Sequence, residues 1–180
     1  MTRRVFLPVA ASIAALLGVV FAGHAADKDQ TFFSSVQGEW VGPGEIVAGK
    51  YKGTKFNCAF TGSSGEKKPG MTLDGSCRVG MLSQKMSATI ERTGRSGYKG
   101  KFLDGASGKG LDVVAGKVDG SKVTLALVRN KLTGAMLARL PDENSMTVTV
   151  SVRVDDQLVP VIGMNLKRVD TAPVGAIARQ

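Results

Sequence analysis

The residues best suited to proton transfer or metal ligation are scarce in this chain, and their positions are informative. Its 180 residues include one histidine, His24, and two cysteines, Cys58 and Cys77. His24 follows a long apolar stretch near the N-terminus, in a segment that reads as a removable leader. Without it the remainder lacks His-based general-base catalysis, the usual Ser and Cys triads and the commonest metal ligand. Carboxylate chemistry would need a convergent pair. The acids are instead dispersed or set in turns, as at Asp142-Glu143 and Asp155-Asp156, where short polar side chains favour turn formation. Ser64-Gly-Glu-Lys67 has the Ser-x-x-Lys spacing of a nucleophile and its base, but it lies in a hairpin loop rather than opening a helix. Gly105-Ala-Ser-Gly108-Lys-Gly110 looks like a phosphate cradle, yet no Gly-Lys-Ser/Thr follows and no helix begins there. The expectation is a protein that is not an enzyme, with no catalytic residue, no metal site and no cofactor.

Cys58 and Cys77 carry the remaining chemistry. An even count in an exported chain reads as one structural disulfide; two free buried thiols are the alternative. Lys50-Tyr51-Lys52 and Tyr98-Lys99-Gly-Lys101 interleave aromatics with lysines, as single-strand nucleic-acid sites do. Tyr98, however, shares strand parity with Phe102, and the lysines read as solvated, so no nucleic-acid partner is expected. Lys50, Lys52, Lys67, Lys68, Lys99 and Lys101 remain candidate contacts to an anionic envelope polymer. The chain is basic, with a formal net charge of +9, but its lysines are scattered rather than striped. That favours tolerance of anionic surroundings over a dedicated nucleic-acid site.

Residues 1–25 have the order of an export signal. Arg3 and Arg4 form a basic start, Val5 to Phe21 is uncharged and mostly apolar, and Gly23-His24-Ala25 supplies small residues for a peptidase. Thr2-Arg-Arg-Val-Phe-Leu7 resembles a twin-arginine signal, and an ordinary Sec signal is the other reading. Cleavage near Ala25-Ala26 implies a periplasmic or secreted protein that does not span a membrane once mature. The expected layout is a 26–36 lead-in, a single domain over 37–169 and a flexible tail over 170–180. Phe32 and Phe33 are expected in a short helix against that domain.

Alternation with a period of two dominates from residue 38 onward. Met146-Thr-Val-Thr-Val-Ser-Val-Arg-Val154 is apolar on one face for nine residues. The 23 glycines, with Pro, Asn and Asp clusters, punctuate the chain at turn spacing. Strands are expected near 38–48, 55–62, 71–79, 84–92, 98–103, 110–118, 121–128, 131–139, 145–154 and 158–169. Residues 131–140 also fit a helix, because Leu132, Met136 and Leu140 lie four apart; strand is the preferred reading. Successive short turns make a meander, and so long a twisted sheet tends to curl shut. The expected fold is an all-β, up-and-down antiparallel barrel of about 8–10 strands, with a two-sheet sandwich as the alternative. The cysteines agree with it. Pairing Cys58 with Cys77 centres a hairpin turn between Lys67 and Lys68, inside the Ser63–Gly70 loop.

Gly38-Glu-Trp40 at the first strand, with Leu166-Lys-Arg168 at the last, resembles the calycin superfamily of lipocalin-like and avidin-like barrels. The resemblance implies that Arg168 packs across the Trp40 indole and closes one barrel end. It also places the chain near small exported bacterial barrels of unassigned function, some of them protease inhibitors. The expected activity is binding. A small apolar ligand would sit in the barrel against Phe56, Phe60, Met86, Ile90, Tyr98 and Phe102. The alternative is a packed barrel acting through its loops on an envelope protein, as an inhibitor or assembly factor, or on anionic polymer.

Overall fold

The computed structural model describes residues 23–94, 97–103 and 110–169. One helix, α1 (Gly23–Ser34), precedes ten strands in unbroken succession. They are β1 (Gly38–Ile46), β2 (Lys55–Ser64), β3 (Gly70–Val79), β4 (Leu82–Arg92) and β5 (Tyr98–Leu103), then β6 (Leu111–Asp119), β7 (Lys122–Arg129), β8 (Leu132–Asp142), β9 (Ser145–Val154) and β10 (Gln157–Val169). Each strand pairs antiparallel with its chain neighbours, and β1 pairs with β10. The sheet is a closed barrel, and the sandwich alternative is excluded. The ambiguous 131–140 segment is strand: Met136, Ala138 and Leu140 point inward from β8 and are buried. The expected leader (over its first 22 residues), the Gly105-to-Lys109 part of the glycine loop and the 170–180 tail lie outside the described residues.

Turn chemistry sets the register. Gly80, Gly120, Asn130 and Asp155 have φ of 56°, 59°, 55° and 52°. Each is the first of two residues between paired strand ends, as Val79↔Leu82 and Val154↔Gln157 illustrate. Left-handed backbone at that position matches the twist of the flanking strands. Register shifts at Val113/Ala115, Arg139/Asp142 and Pro160/Ile162 add local twist, which helps the sheet close. In a meander, successive turns fall at alternate ends. One end carries the start of β1, the end of β10 and the β2–β3, β4–β5, β6–β7 and β8–β9 turns. The other carries the five remaining connections.

The first end is plugged. Phe32, Phe33 and Val36 join Trp40, Tyr98 and Leu140 in one core cluster, with Phe33 and Tyr98 ring centroids 5.2 Å apart. The expected short helix is therefore present, with Phe32 and Phe33 packed on the barrel end. A 12-residue helix is marginal alone, and it gains stability here by burying its aromatics. Polar pegs fix its angle. Tyr98 Oη donates to Asp29 Oδ2 at 2.5 Å, and Gln30 Nε2 donates to the Gly65 carbonyl at 3.2 Å. Arg92 lies 3.5 Å from the same Asp29 oxygen. Every one of these anchors follows Ala25, so cleavage there would leave them intact.

Tyr98 makes this peg sensitive to alkali. Burial, then the hydrogen bond to the Asp29 carboxylate, raises its pKa well above the ordinary 10.0. Below pH 10.0 both folded and unfolded chains hold the proton, and the peg contributes fully. Above that the unfolded chain ionises first, so the contribution is lost as pH climbs toward the raised folded value. Urea titrations of the protein and of Tyr98→Phe should therefore differ most below pH 10.0 and converge above it. A gap that widens with alkali would refute the assignment.

Cys58 and Cys77 are bonded, with Cα atoms 4.0 Å apart, and they face each other in the β2–β3 register. Both are buried. Met164 Sδ lies 3.9 Å from Cys58 Sγ, so the disulfide is packed inside the barrel rather than laid on its wall.

Candidate functional site

Inward-facing side chains form rows that run from the plugged end to the opposite mouth, and their exposure changes along each row. On β9, Met146, Val148 and Val150 are buried, Val152 is half-buried and Val154 is 51% exposed. On β4, Ile90 and Ala88 are buried, Met86 is half-buried and Leu82 is 78% exposed. On β8 the buried Leu140, Ala138 and Met136 give way to Leu132, which is 61% exposed. An inward side chain of a closed barrel meets solvent only through the lumen or over its rim. The exposure gradient therefore marks one end closed by the helix and an opposite rim that solvent reaches.

The candidate ligand residues divide along this axis. Phe60, Ile90 and Tyr98 lie in the packed half and are 5%, 1% and 3% exposed. They are core, not lining, because α1 and Trp40 close that end over them. Phe56, Met86 and Phe102 are half-buried further along the same inward rows. Ile46, Leu111 and Ile162 share their inward parity and partial burial, and sequence alone did not single them out. Arg129 was also missed. It follows Leu125 and Leu127 on the inward parity of β7, and its Nε donates to the Gly110 carbonyl at 3.1 Å.

The plugged end is built around Trp40, which is 0% exposed. Its Nε1 donates to the Val36 carbonyl at 2.8 Å. Arg168, directly opposite in the β1–β10 register, places its Cζ 4.3 Å from the indole centroid. The same guanidinium donates from Nε to Glu143 O at 2.9 Å, from Nη2 to Ser35 O at 2.8 Å, and from Nη1 to Gln37 O. One side chain thus ties the α1–β1 link and the β8–β9 turn to the barrel seam. Gly38 explains the spacing: its φ is +110°, and an added Cβ would fall 2.7 Å from Arg168 Nη1.

The six candidate lysines do not converge. Lys50 and Lys52 lie in the β1–β2 loop at the mouth, whereas Lys67 and Lys68 lie in the β2–β3 turn at the plugged end. Lys99 and Lys101 are exposed on the outer face of β5. Consecutive hairpins must point opposite ways, so the six lie on three separate parts of the surface, as scattered contacts to a polymer would. Among the described residues, no three His, Cys, Asp or Glu side chains come together as a metal site would require. A second concavity, about 430 Å³, lies outside the barrel between α1 and the β6–β7 and β8–β9 turns. Its apolar floor is Phe32 and Leu140, which are nearly fully covered already.

With this geometry in view, the chain is similar to Rv2717c from M. tuberculosis. The TM-score is 0.58 at 16% identity, over 78% of this chain and 97% of that one. The likeness is one of fold. A protein with unknown function from the DUF3598 family of Nostoc punctiforme superposes with a TM-score of 0.48 at 13% identity, over 76% of this chain and 49% of that one. No protein-family model and no curated protein matches the chain.

Proposed function

We propose that this chain is an exported binding barrel that holds a small, largely apolar ligand in its mouth. The observation that carries the reading is the row of inward apolar side chains left solvent-accessible there: Phe56, Met86, Phe102, Leu111 and Ile162. Burying such surface contributes about 25 cal/mol per Å², and a cup closed at one end is the usual concave form of a small-molecule site. The Trp40–Arg168 closure supports kinship with calycin-type barrels, in which a basic side chain across the indole shuts one end. Export is supported by the leader-like residues 1–25 and by the disulfide, which persists in oxidising compartments. No described helix is long and apolar enough to cross a membrane.

Titration with N-phenyl-1-naphthylamine, a neutral dye that brightens in apolar sites, tests the reading. The protein should bind it with blue-shifted emission. Phe102→Asp and Met86→Asp should each weaken binding about tenfold or more, from lost apolar contact and a charge placed in the cup. Unchanged Trp40 emission would show that the plugged end is intact. Failure of the unaltered protein to take up the dye, or uptake indifferent to both substitutions, would overturn the carrier reading.

A further inference from the structure

We infer that the barrel mouth is a docking face for an anionic lipid surface. The two ends of the barrel differ in kind. At the plugged end the tips are polar: Gly-Glu-Lys-Lys-Pro at 65–69, Gly120-Ser121 and Glu143-Asn144. At the mouth they carry large apolar side chains. Met81 sits at the very tip of the β3–β4 hairpin, fully exposed (100%), beside Leu82. Tyr51 projects from the β1–β2 loop, Leu132 from the β7–β8 hairpin, and Val154 and Leu158 from the β9–β10 hairpin, all exposed. Hairpin tips normally take Gly, Asn, Asp or Ser, and a single exposed apolar residue needs no explanation. Four separate connections offering such residues at one end do, because grouped apolar exposure marks an interaction surface.

The projection has a structural basis. The β3–β4 hairpin runs past its last β2 partner, Asn57↔Arg78. The β9–β10 hairpin runs past Gly134↔Val152 on one side and Ile46↔Ile162 on the other. These two tips stand proud of the wall and would reach a flat surface first. Charge identifies the surface. Lys50, Lys52, Arg78, Lys131 and Arg153 flank the tips and are exposed, against Asp155 and Asp156. Lys50 lies 5.4 Å from the Tyr51 ring centroid. Apolar tips ringed by long basic side chains suit a bilayer interface. The tips enter the acyl boundary, the aromatic sits at headgroup level, and the cations stay with the phosphates. Docked this way, the open cup faces the membrane. Rim residues alone would make this contact, so docking stands or falls separately from ligand uptake.

The test is flotation of the oxidised, leader-free protein with vesicles of phosphatidylcholine alone and of phosphatidylcholine mixed with phosphatidylglycerol. Binding should be confined to the mixed vesicles and should fall as salt rises. Met81→Asp with Leu82→Asp should weaken it at least about tenfold. Lys50→Gln with Lys52→Gln should weaken it by about fivefold for each charge removed. Lys67→Gln with Lys68→Gln, at the far end, should leave it unchanged. In Met81→Trp, lipids brominated on the acyl chain should quench the new tryptophan, while the buried Trp40 of the unaltered protein is not quenched. Three results would overturn the proposal: no flotation with mixed vesicles, equal loss from the Lys67/Lys68 pair, or tip-dependent self-association without lipid binding. None of them bears on dye uptake, so the two readings fail independently.

Discussion

Trp40→Ala is expected to cost about 3–5 kcal/mol of unfolding free energy, the usual range for deleting a large aromatic from a core. Trp40 is fully buried, donates to Val36 O and lies under the Arg168 guanidinium. Its loss opens a cavity at the point where α1, β1 and β10 meet. Arg168→Ala should cost less, about 1–3 kcal/mol. It removes the cation–π contact and frees three carbonyls, which water can partly satisfy because the guanidinium lies near the surface. The double substitution should cost less than the two singles together, since each removes a partner of the other. Urea titrations followed by circular dichroism give all three values. Additive losses would mean that the contact carries no energy, and the proposed kinship with calycin-type barrels would lose its main support.

Loss of the disulfide should rank next. Cys58 and Cys77 are 19 residues apart, and closing a loop of that size restrains the unfolded chain by roughly 3 kcal/mol. Cys58→Ala with Cys77→Ala should therefore lower stability by about 2–5 kcal/mol. Alanine is the cleaner replacement, because serine hydroxyls at these buried positions would add a desolvation penalty. The bond is buried, with Met164 Sδ 3.9 Å from Cys58 Sγ, so the native protein should also resist thiol reductants until it opens. Guanidinium titrations of the two forms provide the measurement. A difference within about 0.5 kcal/mol would show that the β2–β3 hairpin is held by its ladder and packing alone.

The barrel was legible because its signals are local. The nine alternating residues of β9, the Gly and Asp of the turns, and the index sum of the cysteines each specify pairing between chain neighbours. Even the closure contact could be anticipated, from the calycin-like resemblance of Gly38-Glu-Trp40 and Arg168, with which their parity agrees. Depth along the barrel axis could not. Phe56 and Phe60 share a face and a chemical type, yet one is near the mouth and the other is sealed beneath the helix. Parity tells which way a side chain points, and only the stagger of neighbouring strands tells how far in it sits. The scatter of the lysines was legible too, since a meander sends Lys52 and Lys67 to opposite ends. Helix α1 gave a weak signal for a different reason: its stability comes from packing on the barrel end, which a 12-residue window does not contain.

Direct pairing of β1 with β10 also dictates the order in which the molecule can be assembled. Eight of the nine hairpins in the meander could begin to zip from their own turns without β10. The seam that joins Trp40 to Arg168 must wait for the final strand. Contacts between such distant parts of a chain slow folding, because a long loop must be closed before any of them forms. Until then β1 has one unpaired edge, open to strands from other chains. A truncated polypeptide ending before residue 157 would keep that edge and the matching edge of β9 permanently, and aggregation through these edges is the fate the topology assigns to it.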